Sequence, residues 1–333
     1  MKAFILDRYE KKSALRFGDV PEPALRDEDV LVEIHAAGVN PLDAKIRDGE
    51  FKPILAYRPP VILGHDMAGI VIRVGPSARK FKPGDEVYAR PRDGRIGTFA
   101  QFIAENEADL ALKPKSLSME EAASIPLVGL TAWQVLVEKA DLRKDQRVLI
   151  HAGSGGVGTF AIQLAKHLGA TVATTAGTAN LDLVRNLGAD VAIDYKTQDF
   201  EKTLSGYDVV LNSLGADTLE KSLAVLKPGG KLISISGPPD VEFARQQGLN
   251  FILRQVLRIL SLRIRRKAGA RRVNYSFLFM RSNGEQLSQI TPLMESGTIL
   301  PVMDRIFPFE ATNEALAYIE TGRSKGKVVV KVR

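Results

Sequence analysis

A chain of 333 residues, 45% of them hydrophobic and 26% charged, can bury one or two substantial cores and has no low-complexity segment of the kind that stays disordered. It contains no cysteine, which excludes disulfides, thiolate nucleophiles and cysteine-ligated zinc. The formal charge of +7 would hint at nucleic acid if it were spread over the chain, but nine basic residues and no acidic one fall within 245–272, so the remainder is mildly acidic.

Residues 1–6 read as a short strand rather than a charged leader with an apolar core and cleavage site, so no export signal is expected and the cytoplasm is the expected location. Short alternating runs in the first 120 residues, such as Val30-Leu31-Val32-Glu33-Ile34 and Gly69-Ile70-Val71-Ile72-Arg73-Val74, are punctuated by Pro and Gly and predict a β-rich domain. From residue 147 the pattern changes. Buried-strand candidates at 147–151, 171–175, 191–193, 208–211 and 231–235 alternate with helical stretches such as 157–168 and 217–226, which predicts a doubly wound parallel sheet with crossover helices. A strand near 275–280 would complete six. A helix near 285–295 and a β-rich tail ending Gly326-Lys327-Val328-Val329-Val330 resemble the first region and are expected to return to it. The fold class is therefore α/β: a nucleotide-binding domain over 122–281 inserted between two parts, 1–121 and 282–333, of a β-rich domain, with the site expected in the cleft between them.

The run His151-Ala152-Gly153-Ser154-Gly155-Gly156-Val157-Gly158 places G-x-G-x-x-G after an apolar strand and at the start of a helix. Gly153 permits a tight turn, Gly155 lets backbone approach a pyrophosphate, Gly158 allows close helix–sheet packing, and the free N–H groups of the turn and helix start receive negative charge. At the end of the second strand, Thr174-Thr175-Ala176-Gly177-Thr178-Ala179-Asn180 carries no carboxylate to bind a ribose 2′-hydroxyl, which favours NADPH, although no Arg or Lys sits in that turn to clamp a 2′-phosphate. Tyr195, after the third strand, offers one more hydrogen bond.

From Ala37-Gly38-Val39-Asn40-Pro41-Leu42-Asp43 through Gly64-His65-Asp66-Met67-Ala68-Gly69, Lys82-Pro83-Gly84-Asp85-Glu86-Val87 and Gly129-Leu130-Thr131-Ala132-Trp133 to the glycine turn, the order and spacing resemble the medium-chain dehydrogenase/reductase superfamily over almost the whole chain. The resemblance implies a GroES-like catalytic domain, a Rossmann domain and a homodimer formed through edge strands. Its zinc members bind metal through a cysteine at the position of Asn40, a histidine at that of His65 and a distant second cysteine; only His65 is present here, so no metal is expected and His65 is read as structural or cleft-lining. Asn40-Pro41-Leu42-Asp43-Ala44-Lys45 and the stretch 322–329 are similar to the zinc-free quinone reductases and alkenal/one reductases. By that resemblance Thr131, Ser154, Gly156, Val157, Thr175, Thr178, Asn180, Tyr195, Ser236, Phe277, Phe279 and Lys327 join Gly153, Gly155 and Gly158 around the cofactor.

With neither metal nor covalent nucleophile, the expected chemistry is hydride addition from NADPH to the β-carbon of an α,β-unsaturated carbonyl, or to a quinone, with donors stabilising the developing oxyanion. Asn40 and Lys45 are candidates for the nicotinamide ribose and oxyanion region, Asp43 for positioning them, and Tyr57 for lining the cleft and donating a proton, a task water could also perform. The arginine-rich segment 251–267 has helical periodicity. It is too short to span a bilayer, and it reads either as a helix packed on the sheet or at a dimer contact, or as a peripheral membrane contact or cleft cap; no nucleic-acid partner is expected. Two alternatives stand beside the reductase: a crystallin-like NADPH-binding protein with little turnover, and an alcohol dehydrogenase.

Overall fold

The structure, a computed structural model, describes residues 1–52, 54–55 and 57–333. The chain forms two compact units, Met1–Leu130 with Arg281–Arg333, and Thr131–Met280.

The first unit is built on the strand Asp29–Val39, whose side chains are almost all buried because it lies inside a sheet. It pairs antiparallel with Asp66–Val74, with Phe102–Asn106 and with Lys327–Lys331, so the last strand of the chain completes the sheet begun near its start. Val30, Val32 and Ile34 pack with Met67, Val71, Val87 and Ile103 in one core. The central strand ends in small residues, and there its neighbours come close: a Cβ on Gly38 would lie 2.6 Å from Ala123 O and 2.8 Å from Asp66 Cβ. Just beyond it the helix Pro41–Arg47 starts with Asn40 as N-cap, Pro41 in the first turn and Asp43 at the third position. The Asp43 carboxylate accepts the Asn40 N–H at 2.8 Å, satisfying one backbone donor of the helix entry.

In the second unit the strands Arg147–Ile150, Thr171–Ala176, Val191–Asp194, Tyr207–Asn212, Leu226–Ser234 and Asn274–Phe277 form one sheet. All neighbours run parallel in the order 3-2-1-4-5-6. This is the doubly wound arrangement expected of the alternating pattern, and its order reverses beside the first strand, where such sheets bind ligands at their carboxyl ends. The crossover helices include Gly156–His167 and Ala216–Val225. The fifth strand starts earlier than its apolar pattern suggests, at Leu226, and its pairing shifts register between Tyr207 and Val209. The arginine-rich segment is two helices, Phe251–Leu260 and Leu262–Ala270, rather than one. The break falls at buried Ser261, whose hydroxyl donates back to Leu257 O at 2.8 Å, and a back-bonded hydroxyl of this kind bends a helix.

Candidate functional site

In the first unit, five polar residues meet beside the close approach at Gly38. Asn40, Asp43, His65, Asp66 and Lys327 are each at most 5% exposed. The Lys327 ammonium donates to Asn40 Oδ1 at 2.5 Å and to Asp66 Oδ2 at 2.9 Å. Asn40 Nδ2 donates to the same Asp66 oxygen at 2.8 Å, and the backbone N–H of Leu127 donates to Asp66 Oδ1 at 2.6 Å. Asp43 uses one oxygen on the helix entry and places the other 2.5 Å from His65 Nδ1, leaving His65 Nε2 buried with no hydrogen-bond partner. Asn40, Asp43 and Lys327 thus come together, and the amide of Asn40 is held at both ends by protein.

Lys45, on the same helix, is exposed. Tyr57 is half-buried, with its hydroxyl 3.5 Å from the Gly94 backbone N–H. Burial, and next the Asp93 carboxylate, push the Tyr57 phenol well above the ordinary tyrosine range, so at neutral pH it carries its proton and can donate it in a hydrogen bond.

The second unit supplies the glycine turn. Gly153 and Gly158 are packing glycines: a Cβ on Gly153 would fall on the buried Thr174 hydroxyl, and one on Gly158 would fall on Ala152 O and 2.7 Å from Gly153 Cα. Gly155 differs, since a Cβ there meets only Ala152 O at 3.3 Å, so its lack of a side chain leaves space rather than filling a contact. The turn is held from beneath by Thr175, whose hydroxyl lies 3.2 Å from both the Ala152 backbone N–H and His151 Nδ1. On its other side His151 Nε2 lies 2.9 Å from Ser222 Oγ, which itself donates to Thr218 O at 2.6 Å and so is left to accept from the imidazole. That arrangement assigns the proton to Nε2, and burial pushes His151 down to about 3.

Around the turn, Asn180 Nδ2 donates to Ser154 Oγ at 3.2 Å, while Asn180 Oδ1 is buried with no hydrogen-bond partner. The Thr178 hydroxyl donates to Asp194 Oδ2 at 2.5 Å. Asp194 was not foreseen at this place: parallel pairing of Ala176 with Asp194 carries the end of the third strand to the end of the second. The same pairing brings in Tyr195, 63% exposed, and Lys196; a Cβ on Gly177 would lie 3.4 Å from the Tyr195 hydroxyl and 3.7 Å from Lys196 Cε. The hydrogen bond from Thr178, the Lys196 backbone N–H and the Lys196 charge hold the Asp194 carboxyl below the usual range. The turn thus has the cation missing from its own sequence, accompanied by a carboxylate.

The remaining expected residues lie elsewhere in the second unit. Ser236 is exposed and donates its hydroxyl to Leu214 O at 2.7 Å. Phe277 and Phe279 both meet Phe243 edge to face. Thr131 is buried in the helix Pro126–Trp133.

The family descriptions "Alcohol dehydrogenase GroES-like domain" and "Zinc-binding dehydrogenase" match residues 26–142 and 187–330. A 2-methylene-furan-3-one reductase of Solanum lycopersicum is 38% identical, covering 99% of this chain and 79% of the relative, and an NADPH-dependent alkenal/one oxidoreductase of Arabidopsis thaliana is 36% identical with the same coverage. The chain belongs to the medium-chain dehydrogenase/reductase superfamily, on its zinc-free quinone and enone reductase branch. Among solved structures, the quinone oxidoreductase from Coxiella burnetii is 31% identical and superposes with a TM-score of 0.87 over 100% of this chain and 99% of that one. Where zinc members of the superfamily carry their first cysteine ligand, Asn40 is bound to Asp66 and Lys327. A fixed ammonium already occupies this knot and one imidazole is left, so the residues present do not fit a zinc ion. The open approach at Gly155 and the unpaired Asn180 carbonyl oxygen do fit a dinucleotide.

Proposed function

We propose that this chain reduces the activated C=C bond of α,β-unsaturated carbonyls, and quinones, by metal-free hydride transfer from NADPH. The observation that carries the reading is the Asn40–Asp66–Lys327 knot: with an ammonium and two committed side chains where zinc relatives bind metal, the acceptor must be its own electron sink, as a conjugated carbonyl is. The names of the tomato and Arabidopsis relatives point to the same acceptors and, for the second, to NADPH.

When bound, NADPH supplies the hydride. In this reading the backbone of Gly155, Gly156 and Val157 receives the pyrophosphate, and Ser154, Thr175, Thr178, Asn180, Tyr195 and Lys196 surround the adenosine ribose, the Lys196 ammonium countering a 2′-phosphate that would otherwise face Asp194 alone. Thr131, Ser236, Phe277 and Phe279 border the rest of the cofactor. Lys45 and Tyr57 donate hydrogen bonds to the oxygen on which charge develops, and Tyr57 or water delivers the α-carbon proton. Asn40 and Asp43 are positioning residues, since their polar groups are spent on the knot and the helix entry; two of the three Lys327 protons are committed there, which leaves one for the nicotinamide end. We expect a cytoplasmic homodimer joined through Asn274–Phe277, the edge strand of its sheet, and sedimentation tests the second part.

The test is NADPH oxidation with a short alkenone, a long alkenal, a quinone and a saturated aldehyde, each repeated with NADH and with chelator. Turnover of only the conjugated acceptors, faster with NADPH and indifferent to chelator, is expected. Chelator-sensitive reduction of the saturated aldehyde would assign a metal dehydrogenase, and tight NADPH binding without turnover a binding protein.

A further inference from the structure

The helix pair Phe251–Leu260 and Leu262–Ala270 carries features that neither the sheet nor the cofactor turn uses. Its inner face is anchored by Leu257, Ser261, Ile264 and Ala268, the last two packed with Tyr207, Leu223 and Leu226 in the core of the second unit. Its outer face is apolar where a solvated helix should be polar. Phe251 is 73% exposed, Ile252 72%, Ile259 69% and Leu260 57%, and six of the twelve large hydrophobic residues exposed among the described residues fall within 251–262. Ile252, Val256, Ile259 and Leu260 are spaced three and four apart and so line one stripe of the first helix; Arg254 and Arg258, four apart, fall on its other side, and Arg265 and Arg266 follow on the second helix.

The charges give this face its direction. Of the nine cations within 245–272, Arg245, Arg263 and Lys267 pair with Glu242 and Glu220, and no carboxylate lies within ion-pair distance of the other six among the described residues. An exposed apolar stripe opposed by unpaired arginines, on helices too short and too charged to cross a bilayer, has the composition of a segment lying in a membrane interface.

We propose that residues 251–266 dock the protein on an anionic lipid bilayer, with Ile252, Val256, Ile259 and Leu260 among the acyl chains and Arg258, Arg265 and Arg266 at the level of the phosphates. Apolar insertion and headgroup attraction act jointly, so either alone is weak and both together hold the chain at the surface. The occupant is independent of the reductase reading, since it rests on residues that reading does not use.

The test is flotation of the full chain with phosphatidylserine-containing vesicles and with vesicles of phosphatidylcholine alone. Two variants on exposed positions accompany it, Ile252→Glu with Ile259→Glu, and Arg258→Glu with Arg265→Glu and Arg266→Glu, their folding checked by thermal melting and NADPH affinity. The intact chain is expected to float with the anionic vesicles only, either variant to lose at least about tenfold in partitioning, and high salt to weaken the association. The proposal is overturned if the intact chain stays with the unbound protein, if it floats equally with neutral vesicles, or if the variants abolish a self-association or a DNA binding of the intact chain and leave flotation unchanged.

Discussion

The three glycines of the turn look alike in sequence and differ in what surrounds them, which makes them separable by experiment. Gly153→Ala would drive a methyl group onto the Thr174 hydroxyl, which is buried and donates to Ile150 O at 2.6 Å, with Ile162 Cδ1 closing the other side at 3.1 Å. Losing that hydrogen bond costs about 1 kcal/mol and overfilling a packed core about 1–3 kcal/mol, so the variant should lose about 2–4 kcal/mol and melt roughly 5–15 °C lower. Gly155→Ala is the contrasting case. Gly155 has φ −82° and ψ 171°, which any residue adopts, and its one near neighbour, Ala152 O, has to give by only a few tenths of an ångström. Its stability should stay within about 0.5 kcal/mol of the parent, while NADPH affinity falls about tenfold or more because the methyl group stands where a pyrophosphate must come close. Differential scanning calorimetry without cofactor and NADPH fluorescence titration read the two effects separately. A Gly155→Ala protein that binds NADPH as the parent does, or melts as early as Gly153→Ala, would refute the division of roles.

Asp66→Ala should cost about 3–5 kcal/mol, since it leaves the buried Lys327 ammonium without its counter-charge; pairing Asp66→Leu with Lys327→Met should recover part of that loss in thermal melts. His151 is neutral in the fold down to about pH 3, whereas in the unfolded chain it takes up a proton near pH 6.5, so its contribution is complete above about 6.5 and is lost at about 1.4 kcal/mol per pH unit on acidification towards 3. The stability difference between parent and His151→Gln should show that slope over this range, and a difference independent of pH would contradict it. Lys196→Ala should raise the KM for NADPH severalfold and leave that for NADH unchanged; an equal loss with both cofactors would remove Lys196 from the 2′-phosphate.

The first four strands of the second unit were legible because they carry runs of β-branched and aliphatic residues, the signature of burial on both faces, and the turn chemistry between them is explicit. The early start of the fifth strand was hidden by Lys227-Pro228-Gly229-Gly230, which reads as a turn and bulges between the paired residues Leu226 and Lys231, with Gly229 at φ 83°. Ser261 reads as one polar residue among arginines, and its back-bonding to Leu257 has no sequence signature. At the candidate site, the glycines and Asn180 could be named from the sequence because the reasoning that points to them is local. Lys196 and Asp194 could not, because they reach the Gly177 turn only through the register that sets Ala176 beside Asp194. The partners of Asn40 were hidden for the same reason: Lys327 stands 287 residues away and meets it only because the last strand pairs with the central one.

That pairing bears on why the knot is polar at all. A buried ion pair is a weak source of stability, and well-packed apolar residues of similar volume are often as good or better. The Asp66–Lys327 pair therefore calls for a purpose other than holding the sheet together. Its geometry offers one: Asp66 is fixed by the Leu127 N–H and takes the Asn40 amide, Lys327 takes the amide oxygen, and the side chain at the head of the helix bearing Asp43 and Lys45 is left with one orientation. The same ammonium, paired with Asp66, lies against Asn40, where zinc relatives carry a metal-binding cysteine. Such a charge can attract electron density but has no vacant coordination position to offer a saturated carbonyl, so a unit built this way suits acceptors that delocalise the incoming charge themselves.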